Sequence, residues 1–259
     1  MTHNARLAWP DRVVGSGYLD PSLPRIFAHR GLALDLPENT IPAFRAACDA
    51  GAGYLETDVR LTRDGVAVLA HDATFVAADG RMGAIASTAA VELARIDLGA
   101  AAGVVSLEEA LDTFPHARFN IDVKVDEAVP ATVASIRRTG AIDRVLLASF
   151  SEARRRRLAR ELPGVATSPG RNGVIRVLMA AAIPSAAAMR VALAGAVALQ
   201  APSRLVTRHV VRAVHAAGAE VHAWTVNDPA IMRRQLDLGV DGLITDRCDL
   251  AVAVVAERI

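Results

Sequence analysis

Two cysteines, Cys48 and Cys248, are all that this 259-residue chain carries. Separated by most of the chain, they form neither a disulfide framework nor a zinc-ligand spacing, and a reducing cytoplasm fits them. Charge of one sign is missing too. With 29 basic and 28 acidic residues the net charge is +1, so no global field draws in nucleic acid or an anionic membrane. Any attraction for a phosphate has to be local. Long apolar runs are also absent: the most hydrophobic stretch, 174–201, is broken by Arg176, Pro184 and Arg190, whereas a membrane span needs about 20 predominantly apolar residues. Residues 1–24 are polar and proline-broken, without the apolar heart of a signal peptide. The expectation is a cytoplasmic protein with no membrane span and no nucleic-acid partner, with no low-complexity segment or internal repeat to mark a second domain.

What is there is a chain of 52% hydrophobic residues, enough for one large core at a length where α/β barrels form single domains. From residue 25 onward, short β-branched or apolar runs alternate with longer segments of helical period, the signature of repeated βα units around a parallel sheet. Eight strands are expected at 26–29, 54–60, 118–125, 145–150, 165–168, 197–200, 221–226 and 242–245, the number that closes a (β/α)₈ TIM barrel. Residues 1–24 read as an N-terminal extension and 25–259 as the barrel. Thr40 with Pro42, and Asp228 with Pro229, read as helix starts. Gly140, Gly218 and Gly239 fall where helices end. Arg63, Asp64 and Gly65 make a turn between the second strand and 66–70, which reads as a hairpin. A short excursion over 72–105 reads as irregular. The run Arg154 to Arg157 reads as a solvated helix face, and His222 as core.

Polarity inside the strands is the anomaly. Phe119, Ile121, Val123 and Val125 alternate with Asn120, Asp122 and Lys124, and Leu55, Thr57 and Val59 with Glu56, Asp58 and Arg60. The apolar faces should meet helices, which aims Glu56, Asp58 and Asp122 into the barrel, where unpaired charge is costly. Three carboxylates coexist most easily around a hard cation, Mg²⁺ or Ca²⁺. They fall at the C-terminal strand ends, where barrel active sites lie. An internal salt-bridge network with Lys124, Arg60 and Arg30 is the alternative.

Two histidines, an arginine and a lysine accompany these carboxylates: His29-Arg30-Gly31, then Pro37-Glu38-Asn39-Thr40, Glu56-Thr57-Asp58 and His71-Asp72. In that order and spacing, with Asn120 to Lys124, Ser149-Phe150, Trp224 to Asn227 and Asp241 to Asp246, the chain resembles the glycerophosphodiester phosphodiesterase family over about residues 25–250. The resemblance implies that Glu56, Asp58 and Asp122 bind the divalent metal, that His29 and His71 are the acid–base pair, and that Arg30 and Lys124 hold the phosphate. It also implies that Glu38 and Asn39 orient the histidine and arginine. Trp224 either fills the barrel or forms the pocket wall under the substrate's glycerol. The family more often has Glu at the position of Asp122, which keeps the charge but shortens its reach. The implied activity is hydrolysis of glycerophosphodiesters to glycerol 3-phosphate and an alcohol. The rivals are a lysophospholipase-D-like member, which needs an apolar groove, and a non-catalytic barrel that binds phosphorylated ligands. His29 and His71 suit the chemistry physically: one removes a proton while the other protonates the leaving alkoxide.

Overall fold

A computed structural model describes residues 17–258 of the chain; residues 1–16, most of the expected N-terminal extension, and residue 259 lie outside the described residues. The strands are β1 Arg25–His29, β2 Tyr54–Leu61, β3 Ala67–Leu69, β4 Thr74–Val76, β5 Met82–Ala84, β6 Arg118–Val123, β7 Val145–Ala148, β8 Ala166–Thr167, β9 Ala198–Pro202, β10 Glu220–Trp224 and β11 Gly242–Thr245. The helices are α1 Ile41–Asp49, α2 Ala90–Leu93, α3 Leu107–Thr113, α4 Val129–Arg138, α5 Glu152–Glu161, α6 Arg171–Ala181, α7 Ala186–Leu193, α8 Arg208–Ala216, α9 Pro229–Leu238 and α10 Cys248–Ala256.

Eight strands run parallel in the order β8-β7-β6-β2-β1-β11-β10-β9, and β3 adds antiparallel to β2 as the expected hairpin. This is the (β/α)₈ barrel, nearly closed. At the seam between β8 and β9 the Val197 amide donates to the Thr167 carbonyl at 3.0 Å and Ser168 Oγ to Gln200 Oε1 at 3.1 Å, without a ladder. The strands end earlier than the apolar runs suggest, β7 at Ala148 and β10 at Trp224. Apolar character persists into the loops there because Phe150 lines the mouth and Val226 is buried. Helix starts follow side-chain chemistry: Thr40 Oγ1 caps α1, and Asp228 Oδ1 takes the amides of Ala230 and Ile231 at 2.8 and 3.1 Å.

Alternation divides the apolar residues between two cores. Leu55, Val59, Phe119, Ile121, Leu147, Leu199, Val221 and Leu243 face outward onto Phe44, Leu111, Val133, Ile136 and other helix residues. Inside the barrel, Tyr18, Phe27, Tyr54, Leu146, Ala166, Ala198 and Ile244 fill the lower half. Gly242 is required there, since a Cβ would sit 2.6 Å from the Phe27 ring and 3.0 Å from His222. The excursion is more ordered than its composition suggests. It folds as the β4–β5 hairpin and α2 over a separate cluster of Val68, Ala77, Ile85, Leu93, Ile96 and Val104; three-residue strands are too short to show a period. The run Arg154 to Arg157 also departs from the expected solvated face. Arg155 is 3% exposed, its guanidinium 2.7 Å from Glu152. His222 is fully buried.

Candidate active site at the barrel mouth

Register assembles the site. Parallel pairing aligns His29 with Glu56, Glu56 with Asn120, and Asp58 with Asp122, so inward-facing residues of neighbouring strands form rows at the C-terminal end of the barrel. A tight turn follows β1. Arg30 and Asn39 adopt left-handed backbone, φ 57° and 58°, a conformation that costs a non-glycine residue roughly 1–3 kcal/mol and that its surroundings must hold in place. The Arg30 amide donates to the Glu56 carbonyl at 3.0 Å and to Glu56 Oε2 at 3.1 Å, and the Asn39 amide to the Arg30 carbonyl at 2.9 Å. Between them Gly31 presses on α1, where a Cβ would lie 2.7 Å from the Ala43 carbonyl carbon.

The side chains meet in one cavity of about 570 Å³, lined by His29, Arg30, Glu56, Asp58, His71, Asp122, Lys124 and Trp224 among others. His29 Nδ1 lies 2.6 Å from Asp246 Oδ1, and Nε2 lies 3.9 Å from Glu56 Oε2. Asp246 is itself held by Asn227, whose amide donates to Oδ2 at 2.6 Å and whose oxygen accepts the Asp246 backbone amide at 2.9 Å. His71, at the end of the hairpin, has Nδ1 2.8 Å from Asp72; its carbonyl accepts from Arg60 at 2.9 Å. Arg30 pairs with Glu38 at 3.0 Å and approaches Asp58 at 3.3 Å. Lys124 Nζ sits 2.7 Å from both Asp58 and Asp122.

Electrostatics at the mouth are strained toward the neutral acid. Burial, and next the Asp58 charge, push Glu56 up to about 8. Burial also raises Asp122, despite Lys124 beside it. Burial depresses the Lys124 ammonium, but Asp122 and Asp58 more than reverse that, and its pKa ends raised. For His29, burial works against the imidazolium; the Asp246 hydrogen bond and the Glu56 charge outweigh it, and the pKa rises. Asp246 moves down, chiefly through the same hydrogen bond.

Part of the internal salt-bridge alternative is therefore realised, through Lys124 and Arg30, while Arg60 turns to the His71 carbonyl. Among the described residues no three His, Cys, Asp or Glu side chains converge as a ready ligand set. The donors still suit a hard cation. Asp122 Oδ1 and Asn120 Oδ1 are buried without a partner among the described residues, and burial with the Asp58 charge holds Glu56 near neutrality. A divalent ion would answer both.

Asn39 donates to Asp58 at 3.2 Å and accepts from Thr57 at 2.7 Å through its side chain, while its backbone amide holds the Arg30 carbonyl. Glu38 faces Arg30. The imidazole is held by Asp246, a residue sequence reasoning passed over although it ends the Asp241 to Asp246 motif directly after β11. A second signal was also available. Lys124 is the sole lysine among 29 basic residues, and its compact ammonium sits between two carboxylates in a chain that otherwise uses the planar guanidinium throughout. Trp224 lines the cavity and meets Phe150 edge-to-face at 6.4 Å.

Comparison with known proteins bears on this geometry. The sequence model of the Glycerophosphoryl diester phosphodiesterase family matches residues 29–250. The chain is 42% identical over 238 residues to probable glycerophosphodiester phosphodiesterase 2 of Mycobacterium tuberculosis, covering 89% of this chain and 90% of that one. It is 26% identical to glycerophosphodiester phosphodiesterase of Bacillus subtilis, over 90% and 86% of the two chains. Among solved structures, a phosphodiesterase of Oleispira antarctica in complex with the product sn-glycerol-3-phosphate superposes with TM-score 0.77 at 25% identity, covering 93% and 99%. A putative glycerophosphoryl diester phosphodiesterase of Silicibacter pomeroyi gives TM-score 0.80 at 24% identity, covering 94% and 98%. Fold and relatives together define an enzyme of the phosphoric diester hydrolase class. More narrowly, the chain belongs to the glycerophosphoryl diester phosphodiesterase family.

Proposed function

We propose that the protein hydrolyses glycerophosphodiesters to glycerol 3-phosphate and an alcohol, with Mg²⁺ or Ca²⁺ held by Glu56, Asp58 and Asp122. The observation that carries this reading is the meeting of two histidines, three carboxylates and two cationic side chains in one cavity of a barrel that belongs to this family. The cation, when bound, supplies charge neutralisation at the phosphoryl oxygens. Arg30 and Lys124 bind the phosphate from the protein side and stabilise the charge that builds in the transition state. Asp246 keeps Nδ1 of His29 engaged, so that Nε2 is the nitrogen that exchanges a proton. His71, 36% exposed at its side chain, handles the second proton. The pairing of His29 with Asp246 favours an imidazolium that can be gained and lost during the reaction.

A second reading is favoured by one feature. The cavity extends from the charged cluster across to Phe150, Val174, Ile175, Leu178 and Leu205, an apolar wall that suits an acyl-bearing lysophospholipid. The test is release of glycerol 3-phosphate from glycerophosphocholine and glycerophosphoethanolamine, with chelator and with Mg²⁺ or Ca²⁺ add-back, beside His29→Ala and Glu56→Ala. Release abolished by chelator, restored by metal and lost in both variants is expected. A folded protein inert on these substrates and on lysophospholipids would promote the non-catalytic phosphate-binding barrel.

A further inference from the structure

The net charge of +1 averages over a segregated chain. Residues 162–219 contain no aspartate or glutamate but six arginines, 171, 176, 190, 204, 208 and 212. The remainder has 23 basic against 28 acidic residues. This cationic quarter is β8, α6, α7, β9 and α8, and it borders the cavity mouth on the side opposite the catalytic cluster. Arg171 at the start of α6 and Arg204 in the turn after β9 both line the mouth and are exposed, and neither guanidinium is engaged by another described residue.

The same quarter exposes apolar side chains in a pattern. Along α6, Arg171, Ile175 and Met179 recur every four residues and so share one face, and Ile183 follows just past the helix end. Ile175 is 50% exposed, Met179 71%, Ile183 53% and, across the mouth, Leu205 38%. Ile175 and Leu205 also line the cavity, whereas Met179 and Ile183 lie outside its lining. A ligand confined to the cavity would leave those two in water. An extended surface that is apolar in depth and anionic at its boundary would cover them and meet the two arginines at once, as at membrane-interface helices whose basic residues reach the headgroups.

We propose that this face docks the barrel mouth onto an anionic phospholipid surface. Docking in this orientation turns the apolar wall of the cavity toward the lipid, so that a lipid-derived diester passes from surface to site; that delivery step alone rests on the hydrolase reading above. The experiment is flotation of the full chain with vesicles of phosphatidylcholine alone and with one third phosphatidylglycerol, in low and physiological salt. Binding to the mixed vesicles only, weakened by salt, is expected. Each arginine near an anionic leaflet strengthens binding about fivefold, so Arg171→Gln with Arg204→Gln should weaken it about 25-fold. Met179→Asp with Ile183→Asp should abolish it while hydrolysis of glycerophosphocholine stays at the wild-type rate, which also shows the variant folded.

Absence of binding to the mixed vesicles, equal binding to neutral ones, or full binding by the Met179→Asp, Ile183→Asp variant would overturn the proposal. Two further outcomes would overturn it with a replacement. A dimer that this variant dissolves, with no vesicle binding, would make the face a contact between copies. Retention by a soluble polyanion without vesicle binding would make it a polyanion site. Vesicle binding by a protein inert in the glycerol 3-phosphate assay would leave the docking face standing and sink the hydrolase reading instead.

Discussion

Two buried carboxylates in this barrel have opposite fates. At the floor, Glu220 takes both Nε and Nη2 of Arg25, at 2.8 and 2.7 Å, and His222 Nε2 lies 3.1 Å away. Burial works to raise its pKa, but the Arg25 and His222 contacts win and hold the carboxyl down to about 2. At the mouth, Glu56 is pushed up to about 8 by burial and then by Asp58, with no full-strength cationic partner of its own. Similar depth thus gives a closed ion pair in one place and an excess of negative charge in the other. The floor completes its own electrostatics and is structural; the mouth leaves them incomplete, which is the condition for binding a cation and a substrate.

The contrast breaks most visibly at the histidine. His29→Ala should lower kcat by about 10²- to 10⁴-fold with little change in melting temperature, read by turnover beside thermal denaturation. Next in size, Glu220→Ala leaves the Arg25 guanidinium buried and unpaired, and should cost about 3–5 kcal/mol in urea unfolding, with turnover per folded molecule retained. Glu56→Gln should behave in reverse, losing turnover while stability holds or rises, because a neutral amide replaces a buried carboxyl whose ionisation burial and Asp58 disfavour. Were both variants to lose stability equally, the distinction between floor and mouth would fail.

A smaller effect is expected at Asp246. Asp246→Asn removes the carboxylate that raises His29, so the limb of the pH–rate profile governed by His29 should move to lower pH, with kcat reduced about 10- to 100-fold, the range for outer partners of functional histidines. Lys124→Arg should not fully rescue a Lys124→Ala loss, since a planar fork presents its donors differently from an ammonium held 2.7 Å from both Asp58 and Asp122. The smallest effect is the acid titration of the floor. Glu220 has a folded pKa below its unfolded one, so the native state binds fewer protons there and the pair stabilises the fold above the ordinary carboxyl range. That contribution should fade as pH falls toward 2, read as a declining urea midpoint, and Glu220→Gln should flatten the decline.

Much of this was legible in the chain. Strict alternation in Phe119 to Lys124 and in Leu55 to Arg60 sorted core from cavity, and the parallel register then placed Asp58 beside Asp122. The eight strands were countable because each sits between helical segments with caps such as Thr40 and Asp228. Less legible were contacts made across long separations. Asp246 holds His29 over 217 residues of sequence, and no local pattern announces it. Asn39 could not be assigned to Asp58 without the turn that follows β1. The buried Arg155 looked like its solvated neighbours because a four-arginine run conceals which one faces inward. The charge asymmetry of 162–219 was written in the sequence, but a whole-chain net charge hides it.

The segment just before β1 carries a lesson about where this domain stops. Tyr18 is fully buried beneath the barrel, its carbonyl accepting from the Tyr54 hydroxyl at 2.7 Å. Arg25 donates to the Leu19 and Pro21 carbonyls at 2.7 Å each, and Arg118 to that of Gly17 at 3.0 Å. Gly17, Tyr18, Leu19, Pro21 and Arg25 all lie upstream of residue 29, where the span shared with the family begins. Cutting the chain at that homology boundary would pull the bung from the bottom of the cask, removing Tyr18 and Arg25 from beneath the barrel.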